Sequence, residues 1–426
     1  MANVKKILKF IITKILVFKA KQYLKTHRTQ VIAITGSIGK TSTKEAMYHI
    51  LKSHFKTYKS PGGFNTEIGL CLSILQEEES GFSSALSWLK ILKRVFFGKK
   101  KPFEKVILEM GADSPGDIKK LVNIANPKIG VITNVNPVHL GEGQFKDLED
   151  IKKEKGSLIK KMGEGSLAIL NFDDPLVKNM ETYAQKIFYG ATAKSDAKSD
   201  VFAFDIEQMA KNLKFKIRYQ NEARNFKVPV LGNFQIYTLL PAIAVALKLG
   251  LSLKDCAKAL KDYKTPPSRL SYIPGINGSD IIDSSYNSSP TSTAKVLDLL
   301  SGLKAERKIA ALGTMNELGE ISKEAHLKLG KKAKSVADVL LAVGTEATNI
   351  KQGAVDAGMD EKNVYTFFDS EEAGHFLEKF IQPKDLILVK GSQNRVRMEK
   401  LVKIIMNEPK KAKKLLCRQG EGWEKS

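Results

Sequence analysis

The stretch Val31–Leu51, VIAITGSIGKTSTKEAMYHIL, sets a β-branched run ahead of a glycine turn, a lysine and two hydroxyls. That combination can hold phosphate. Backbone N–H groups of Gly36, Ser37 and Gly39 would cradle an anion at a helix N-terminus, where the helix dipole also favours negative charge. Lys40 would neutralise the terminal phosphates, the Thr41 hydroxyl can ligate magnesium, and Ser42 completes the group. The spacing departs from the usual nucleotide loop, in which a glycine and four residues precede Gly-Lys-Ser/Thr. Ile34 stands where that first glycine belongs, and Gly36 leaves only two residues before Gly39.

Two more groups could join a phosphate and its metal. Glu109 ends the apolar run of KVILEMGA, and a carboxylate there is costly unless it is paired or holds a metal. His139 sits in NVNPVHLGEG, just past another apolar run. Taken alone, Glu109 could equally be an exposed strand end and His139 an ordinary loop histidine.

The elements that must position these groups read as a parallel sheet wrapped by helices. VIAIT, KVILEMGA, IGVITNV and GSLAILNFDDP are short apolar runs separated by helical stretches, the pattern of strands buried on both faces. Ligands in such sheets bind beyond the carboxyl ends of the strands. Thr35 to Lys40, Glu109 and Asn134 to His139 all fall at such ends. From 200 to 230 the pattern changes to alternating strands, and Gly232 opens an apolar helix reaching Leu249. A further unit begins near Pro266, with strands DIIDSS, KIAALGT, VLLAVG, VYTFF and LILVKGS, again separated by helices.

The totals bound the class of protein. A chain of 426 residues with 42% hydrophobic content can bury several cores and is expected to hold more than one domain. Its net charge of +23 favours an anionic partner such as a nucleotide, a nucleic acid or a membrane surface. Three widely spaced cysteines, Cys71, Cys256 and Cys417, indicate neither a disulfide framework nor a zinc site, so a reducing cytoplasm is the default. The first thirty residues carry eight Lys/Arg and no acid. Lys9 and Lys14 interrupt an apolar stretch shorter than the roughly 20 residues of a bilayer crossing. Two readings remain for it: an amphipathic helix lying on anionic lipid, or a basic helix packed on the protein. A second basic apolar segment, WLKILKRVFFGKKKPF, favours the lipid.

The motifs ITGSIGKTSTKEA, GGFNTEIG, ILEMGADSPGDI, VITNVNPVHLGEG and KKEKGSLI, in this order, resemble the Mur ligase family. TPPSRL, IIDSSYNSSPTS, LGTMNELGEISKEAH and LILVKGSQNRVRME extend the likeness to about Leu401. The shortened glycine loop belongs to these ligases. The resemblance implies an α/β fold: a central P-loop-type parallel-sheet ATPase domain over 31–264, then a Rossmann-like domain over 265–408. A basic amphipathic helix over 1–30 and a basic tail over 409–426 flank them. ATP and Mg2+ are the implied cofactors. Family members activate a substrate carboxylate to an acyl phosphate, which an amine then attacks. The closest likeness is to the branch that adds D-alanyl-D-alanine to a UDP-muramyl tripeptide in peptidoglycan synthesis. Partners are then a nucleotide-sugar peptide and a dipeptide, with peripheral contact between residues 1–30 and anionic membrane at its inner face. No nucleic acid is expected, because no aromatics interleave with the basic runs to stack bases.

Residue by residue, the resemblance makes Thr41 and Glu109 magnesium ligands, His139 the ligand of a second magnesium, and Lys155 a carbamylated lysine near the metals. Lys40, Lys155, His139 and Arg269 form the catalytic set, with Arg269 near the γ-phosphate. Gln235 takes the adenine side, although Phe234 and Thr238 depart from the family's His-Asn and Asn. Asp283, Tyr286 and Asn287 match the Asp-Asp-x-Tyr-Asn motif, with Ser284 in place of its second aspartate; Thr314 likewise replaces the aspartate of Gly-Asp-Met. Asn65 and Thr66 match a substrate-side loop, and Lys390, Ser392 and Arg395 the loop that grips the incoming amino compound. Only some thirty residues precede Val31, so the resemblance implies a chain without the family's N-terminal UDP-holding domain. That departure favours one alternative, a family ligase joining a different amino acid or peptide to a different acceptor. A basic nucleic-acid-dependent NTPase is the alternative from another class.

Overall fold

The structure is a computed structural model and describes residues 2–78, 85–137, 144–393, 395–420 and Trp423, with the side chains of residues 2–5 and Ala85 left aside. The chain divides into two compact units. The first comprises Met1–Ile206, Lys214–Lys227 and Gln235–Tyr263, and the second Glu207–Leu213, Val228–Phe234 and Lys264–Ser426.

In chain order the first unit runs α1 (Ala2–Thr26), β1 (Gln30–Thr35), α2 (Lys40–Leu51), β2 (Thr57–Lys59), α3 (Glu67–Ile74), α4 (Ala85–Phe97), β3 (Lys105–Glu109), α5 (Asp117–Ala125) and β4 (Ile129–Ile132). It continues through α6 (Leu148–Lys160), β5 (Leu167–Asn171), α7 (Pro175–Lys178), β6 (Gln185–Gly190), β7 (Val201–Gln208), β8 (Leu213–Tyr219), β9 (Glu222–Val228), α8 (Ile236–Lys248) and α9 (Leu253–Leu260). The nine strands form one sheet in the order β2-β3-β1-β4-β5-β6-β7-β8-β9. Its pairs from β2 to β6 are parallel, and β1 is central, with β3 and β4 on either side. Alternation sorts the side chains of each strand between two faces. Val31 and Ala33 of β1 join Val106 and Leu108 of β3 in one core, while α2 and α8 lie together on the sheet.

The N-terminal helix belongs to this unit's core. Ile12, Leu16, Ala20 and Tyr23 recur at helical spacing and are buried, and α1 lies against α3 and α5. Its end is tied down as well: the Tyr23 hydroxyl donates to the carbonyl of Lys101 at 2.5 Å and Thr29 Oγ1 to that of Phe103 at 2.7 Å. Among the described residues no helix is long and apolar enough to cross a membrane.

The second unit contains β10 (Ser271–Pro274), β11 (Asp280–Ser284), α10 (Pro290–Gly302), β12 (Arg307–Gly313), α11 (Ser322–Lys334), β13 (Val339–Val343) and α12 (Ala347–Asp356). It ends with β14 (Val364–Phe367), α13 (Ser370–Phe380), β15 (Asp385–Lys390), α14 (Glu399–Ile405) and α15 (Ala412–Leu415). Its sheet has the order β10-β11-β15-β12-β13-β14, parallel except for β10. Strand by strand, neighbouring residues go to opposite cores. Ile282, Ala310, Leu340 and Leu388 face one, and Ile281, Ile309, Leu341 and Val389 the other. The stretch expected as a basic tail is built into the second of these cores through Ala412 and Leu416.

Candidate nucleotide and metal site

The glycine turn joins β1 to α2, and its shape depends on glycine at two points. Gly36 has φ 138° and Gly39, which precedes α2, has φ 89°, both in the region that disfavours side chains. At Gly36 space forbids one as well, since a Cβ there would lie 2.1 Å from Thr133 Oγ1. The segment after β4 braces the turn. Asn134 accepts from the Ile38 N–H at 2.9 Å and donates to the Ile38 carbonyl at 2.9 Å. The Ser37 hydroxyl donates to the Asn136 carbonyl at 3.0 Å, and the Thr133 hydroxyl to that of Ile38 at 2.8 Å. Lys40 folds back over the turn, its Nζ donating to the carbonyls of Gly36 and Ser37. Sequence reasoning placed Asn134 at a strand end but missed this bracing; the two sides are 96 residues apart in the chain.

Parallel register brings Ile34 of β1 opposite Glu109 of β3, so the glutamate stands beside the start of the turn. Thr41 donates from Oγ1 to Glu109 Oε2 at 2.9 Å. Lys44, one turn further along α2, is fully buried and holds its Nζ 3.5 Å from the same oxygen while donating to the Ser60 carbonyl at 2.8 Å. Burial lowers the Lys44 pKa, and Glu109 opposes that shift. The pairing that a carboxylate at this strand end demands thus comes from Lys44, a residue not singled out from the sequence. Asn65 lies next to the same strand end: its carbonyl accepts from Gly111 N–H at 3.0 Å, and its side chain fills the space a Gly111 Cβ would need. Thr66 caps the start of α3 without a side-chain bond to that helix.

Lys155 is buried on α6. Burial, and next the charge of Lys40, push its pKa down to about 8 against the pull of Glu154, Asp113 and Asp117. Gln235 is buried at the entry to α8, and its side-chain oxygen accepts from the Thr238 hydroxyl at 3.2 Å. A Cβ on Gly39 would touch Thr238, so the start of α8 borders the turn. His139 lies outside the described residues.

In the second unit the Arg269 guanidinium sits 3.6 Å from the centre of the Tyr286 ring. Asp283 is fully buried, accepting from Ser268 Oγ at 2.8 Å and from the Ser285 N–H at 3.0 Å. Its carboxylate thus holds the loop together, and burial raises its pKa. Lys390 donates to the Asn287 carbonyl at 2.8 Å. Burial, with Arg269 adding, drives the Lys390 pKa down to about 7 against the pull of Asp283. Ser392 accepts from Asn316 N–H at 2.9 Å and donates to the Ser288 carbonyl at 3.3 Å. Arg395 is exposed with φ 67°.

The first-unit residues fit a magnesium nucleotide. Among the described residues no three His, Cys, Asp or Glu side chains converge as a metal cage. The donor set is one hydroxyl and one carboxylate beside an anion-binding turn, and magnesium usually completes such a set with phosphate oxygens and water.

Comparison with known proteins agrees with this geometry. The family model described as the Mur ligase middle domain matches residues 34–246, and the Mur ligase glutamate ligase domain matches 268–393. The UDP-N-acetylmuramoyl-tripeptide–D-alanyl-D-alanine ligase of Bacillus subtilis is 29% identical over 395 residues, covering 92% of this chain and 79% of the relative. Its namesake from Mycobacterium tuberculosis H37Rv is 31% identical over 390 residues, 85% of this chain and 70% of the relative. Among solved structures, a MurF from Acinetobacter baumannii superposes with a TM-score of 0.77 at 26% identity, covering 92% of this chain and 79% of that one. The Thermotoga maritima MurF in complex with ADP gives 0.76 at 28%, covering 94% and 84%. With both of its α/β units matched and its glycine turn and strand-end glutamate in register, this chain belongs to the Mur ligase family.

Proposed function

We propose that the protein is an ATP-dependent carbon–nitrogen ligase of peptidoglycan precursor synthesis, joining D-alanyl-D-alanine to UDP-N-acetylmuramoyl-tripeptide. The observation that carries this reading is the braced glycine turn with Thr41, at the start of α2, hydrogen-bonded to Glu109 at the end of β3, in a chain similar over most of its length to ligases of that name. Bound MgATP supplies the phosphoryl group that turns a substrate carboxylate into an acyl phosphate. The turn amides and Lys40 hold the anionic end of the nucleotide, and Thr41 and Glu109 hold its metal. Preset donors of this kind stabilise developing charge without reorganising during the reaction. Lys155, as a carbamate, would add an anion near Lys40, and the resemblance assigns Arg269 to the γ-phosphate. Asn65 and Thr66 face the nucleotide-sugar peptide, with Lys390, Ser392 and Arg395 on the side of the incoming dipeptide.

The test is phosphate release by the purified chain with ATP, magnesium, UDP-muramyl tripeptide and D-alanyl-D-alanine. Release that requires both peptides, with the joined product seen by mass, supports the assignment. Release with other amino acids or acceptors, but not with these, moves the chain to a different reaction within the family. Lys40→Ala should abolish release in either case.

The same reading includes peripheral contact with anionic membrane through residues 1–30. The inner stripe of α1 is buried, yet its outer side remains apolar and basic. Among the described residues, nine of the fourteen large apolar side chains left exposed lie on α1 and α4, Phe10, Phe18, Leu86, Leu89 and Phe97 among them. The two helices meet where Lys19 Nζ lies 4.6 Å from the centre of the Phe96 ring. Exposed apolar groups flanked by lysines suit the headgroup region of an anionic bilayer. Vesicles containing phosphatidylglycerol should sediment the protein, and Phe10→Ser with Phe97→Ser should leave it in the supernatant. Equal sedimentation with neutral vesicles, or self-association without lipid, would count against the contact.

A further inference from the structure

We propose that Arg418, in the C-terminal stretch beyond the matched domains, is a positioning residue for the nucleotide side of the second unit. It acts by fixing the loop that carries Tyr286 and, through that ring, Arg269. This inference rests on the ligase reading above for the roles of those two residues.

A guanidinium has five donors in a rigid fork and loses much of its hydration when buried, so a buried arginine must find acceptors for most of them. The Arg418 side chain is only 5% exposed and Glu399 is fully buried beside it. Two donors close on the glutamate, Nε to Oε1 at 3.0 Å and Nη2 to Oε2 at 2.7 Å. Two more go to backbone carbonyls of a single loop, with Nη2 on Ser285 at 2.8 Å and Nη1 on Tyr286 at 2.9 Å. Those carbonyls follow Asp283 at the end of β11, in the segment that carries Tyr286 and Asn287.

The residue before it makes a second tie. The Cys417 N–H donates to Ser268 Oγ at 3.0 Å, and the same hydroxyl donates to Asp283 at 2.8 Å. Ser268 precedes Arg269, and its carbonyl accepts from the Tyr286 N–H at 3.1 Å. Residues 417 and 418 therefore hold both segments between which Arg269 stacks on Tyr286. Ala412 and Leu416 of the same stretch join the apolar core, a contact separate from these polar ties. A charge whose donors are divided between one carboxylate and two carbonyls of one loop fixes that loop's geometry. Charge-assisted bonds of this sort are stronger and more directional than neutral ones. Sequence reading passed over Arg418 because it ends a lysine-rich stretch that resembles a solvated tail.

The test compares the full-length wild type with Arg418→Ala and Arg418→Lys. It reads ATP affinity by calorimetry, steady-state kinetics and melting temperature. Calorimetry needs no assumption about the acceptor. Arg418→Ala should weaken ATP binding by roughly tenfold, the scale of one lost charge-assisted network, and raise the apparent KM for ATP while leaving that for the dipeptide within about twofold. Millimolar guanidinium should restore part of the loss. Arg418→Lys keeps the ion pair with Glu399 but cannot span both carbonyls, so it should fall between the two even if the alanine variant folds poorly. Either variant binding ATP as the wild type does overturns the proposal. So does a uniform fall in every kinetic parameter that tracks the melting temperature and is not rescued by guanidinium. A wild type that binds no ATP at all instead overturns the ligase reading beneath it.

Discussion

Lys44 and Glu109 form an ion pair at the start of the glycine turn, with Nζ fully buried and 3.5 Å from Oε2. The Thr41 hydroxyl shares that oxygen, so the pair links the fold of α2 to the carboxylate read as a metal ligand. Removing one member of a buried pair leaves the other charge uncompensated, at a cost of about 3–5 kcal/mol. Lys44→Met should therefore lose stability on that order in urea denaturation. Adding Glu109→Gln should recover part of it, and strictly additive losses would show that the two groups do not interact.

At Gly36 both backbone and space exclude a side chain. With φ at 138° and a Cβ position 2.1 Å from Thr133 Oγ1, Gly36→Ala must move the segment that braces the turn. Strain of about 1–3 kcal/mol would fall on the anion-binding amides. ATP titration should show binding lost or greatly weakened, while circular dichroism keeps the wild-type spectrum. Unchanged affinity would mean that the turn reshapes freely.

The proposed carbamate on Lys155 requires a neutral amine, and burial, reinforced by Lys40, brings the Lys155 pKa down to about 8. Only the neutral amine can attack the carbon of CO2, giving up a proton to leave a carbamate anion. Carbamate formation should therefore rise as pH climbs through about 8. In 13C-bicarbonate the wild type should show a carbamate carbon that is missing in Lys155→Arg. A wild-type spectrum lacking it would remove the carbamate from the site.

His326 gives the second unit a pH dependence with a definite sign. It is fully buried, accepts at Nε2 from the Met315 N–H at 2.8 Å and lies 2.7 Å from the Ser322 carbonyl through Nδ1. That geometry requires the neutral ring with its proton on Nδ1. Burial lowers its pKa below the ordinary 6.5, so on acidification the unfolded chain takes up the proton first. Stability should be intact above about 6.5 and fall as pH drops below it. Melting curves from pH 7.5 down to 5.5 should show a decline that is shallower in His326→Gln; an equal slope would assign the dependence to other groups.

The sheets and the glycine turn were legible because they follow from local pattern. Strands buried on both faces appear as short apolar runs, and a phosphate turn needs glycine, lysine and hydroxyl within a few residues. Parallel register then places Glu109 next to the turn without further information. What could not be read depends on partners far apart in sequence. Lys44 and Arg418 are two among 69 Lys/Arg, and only folding brings Arg418 to a carbonyl 132 residues away. Asp283 was matched only by its motif, which could not show that its oxygens accept from Ser268 and Ser285. Strand β10 was missed because its four residues, ending in Pro274, carry too short a pattern.

The inner stripe of α1 has a practical consequence for anyone shortening the gene. Starting translation just ahead of β1, which opens at Gln30, would strip Leu16, Ala20 and Tyr23 from against α3 and α5 and leave a greasy trench open to water. Such a truncated product would be expected to clump in the test tube, and its silence in an assay would reflect lost solubility rather than lost chemistry.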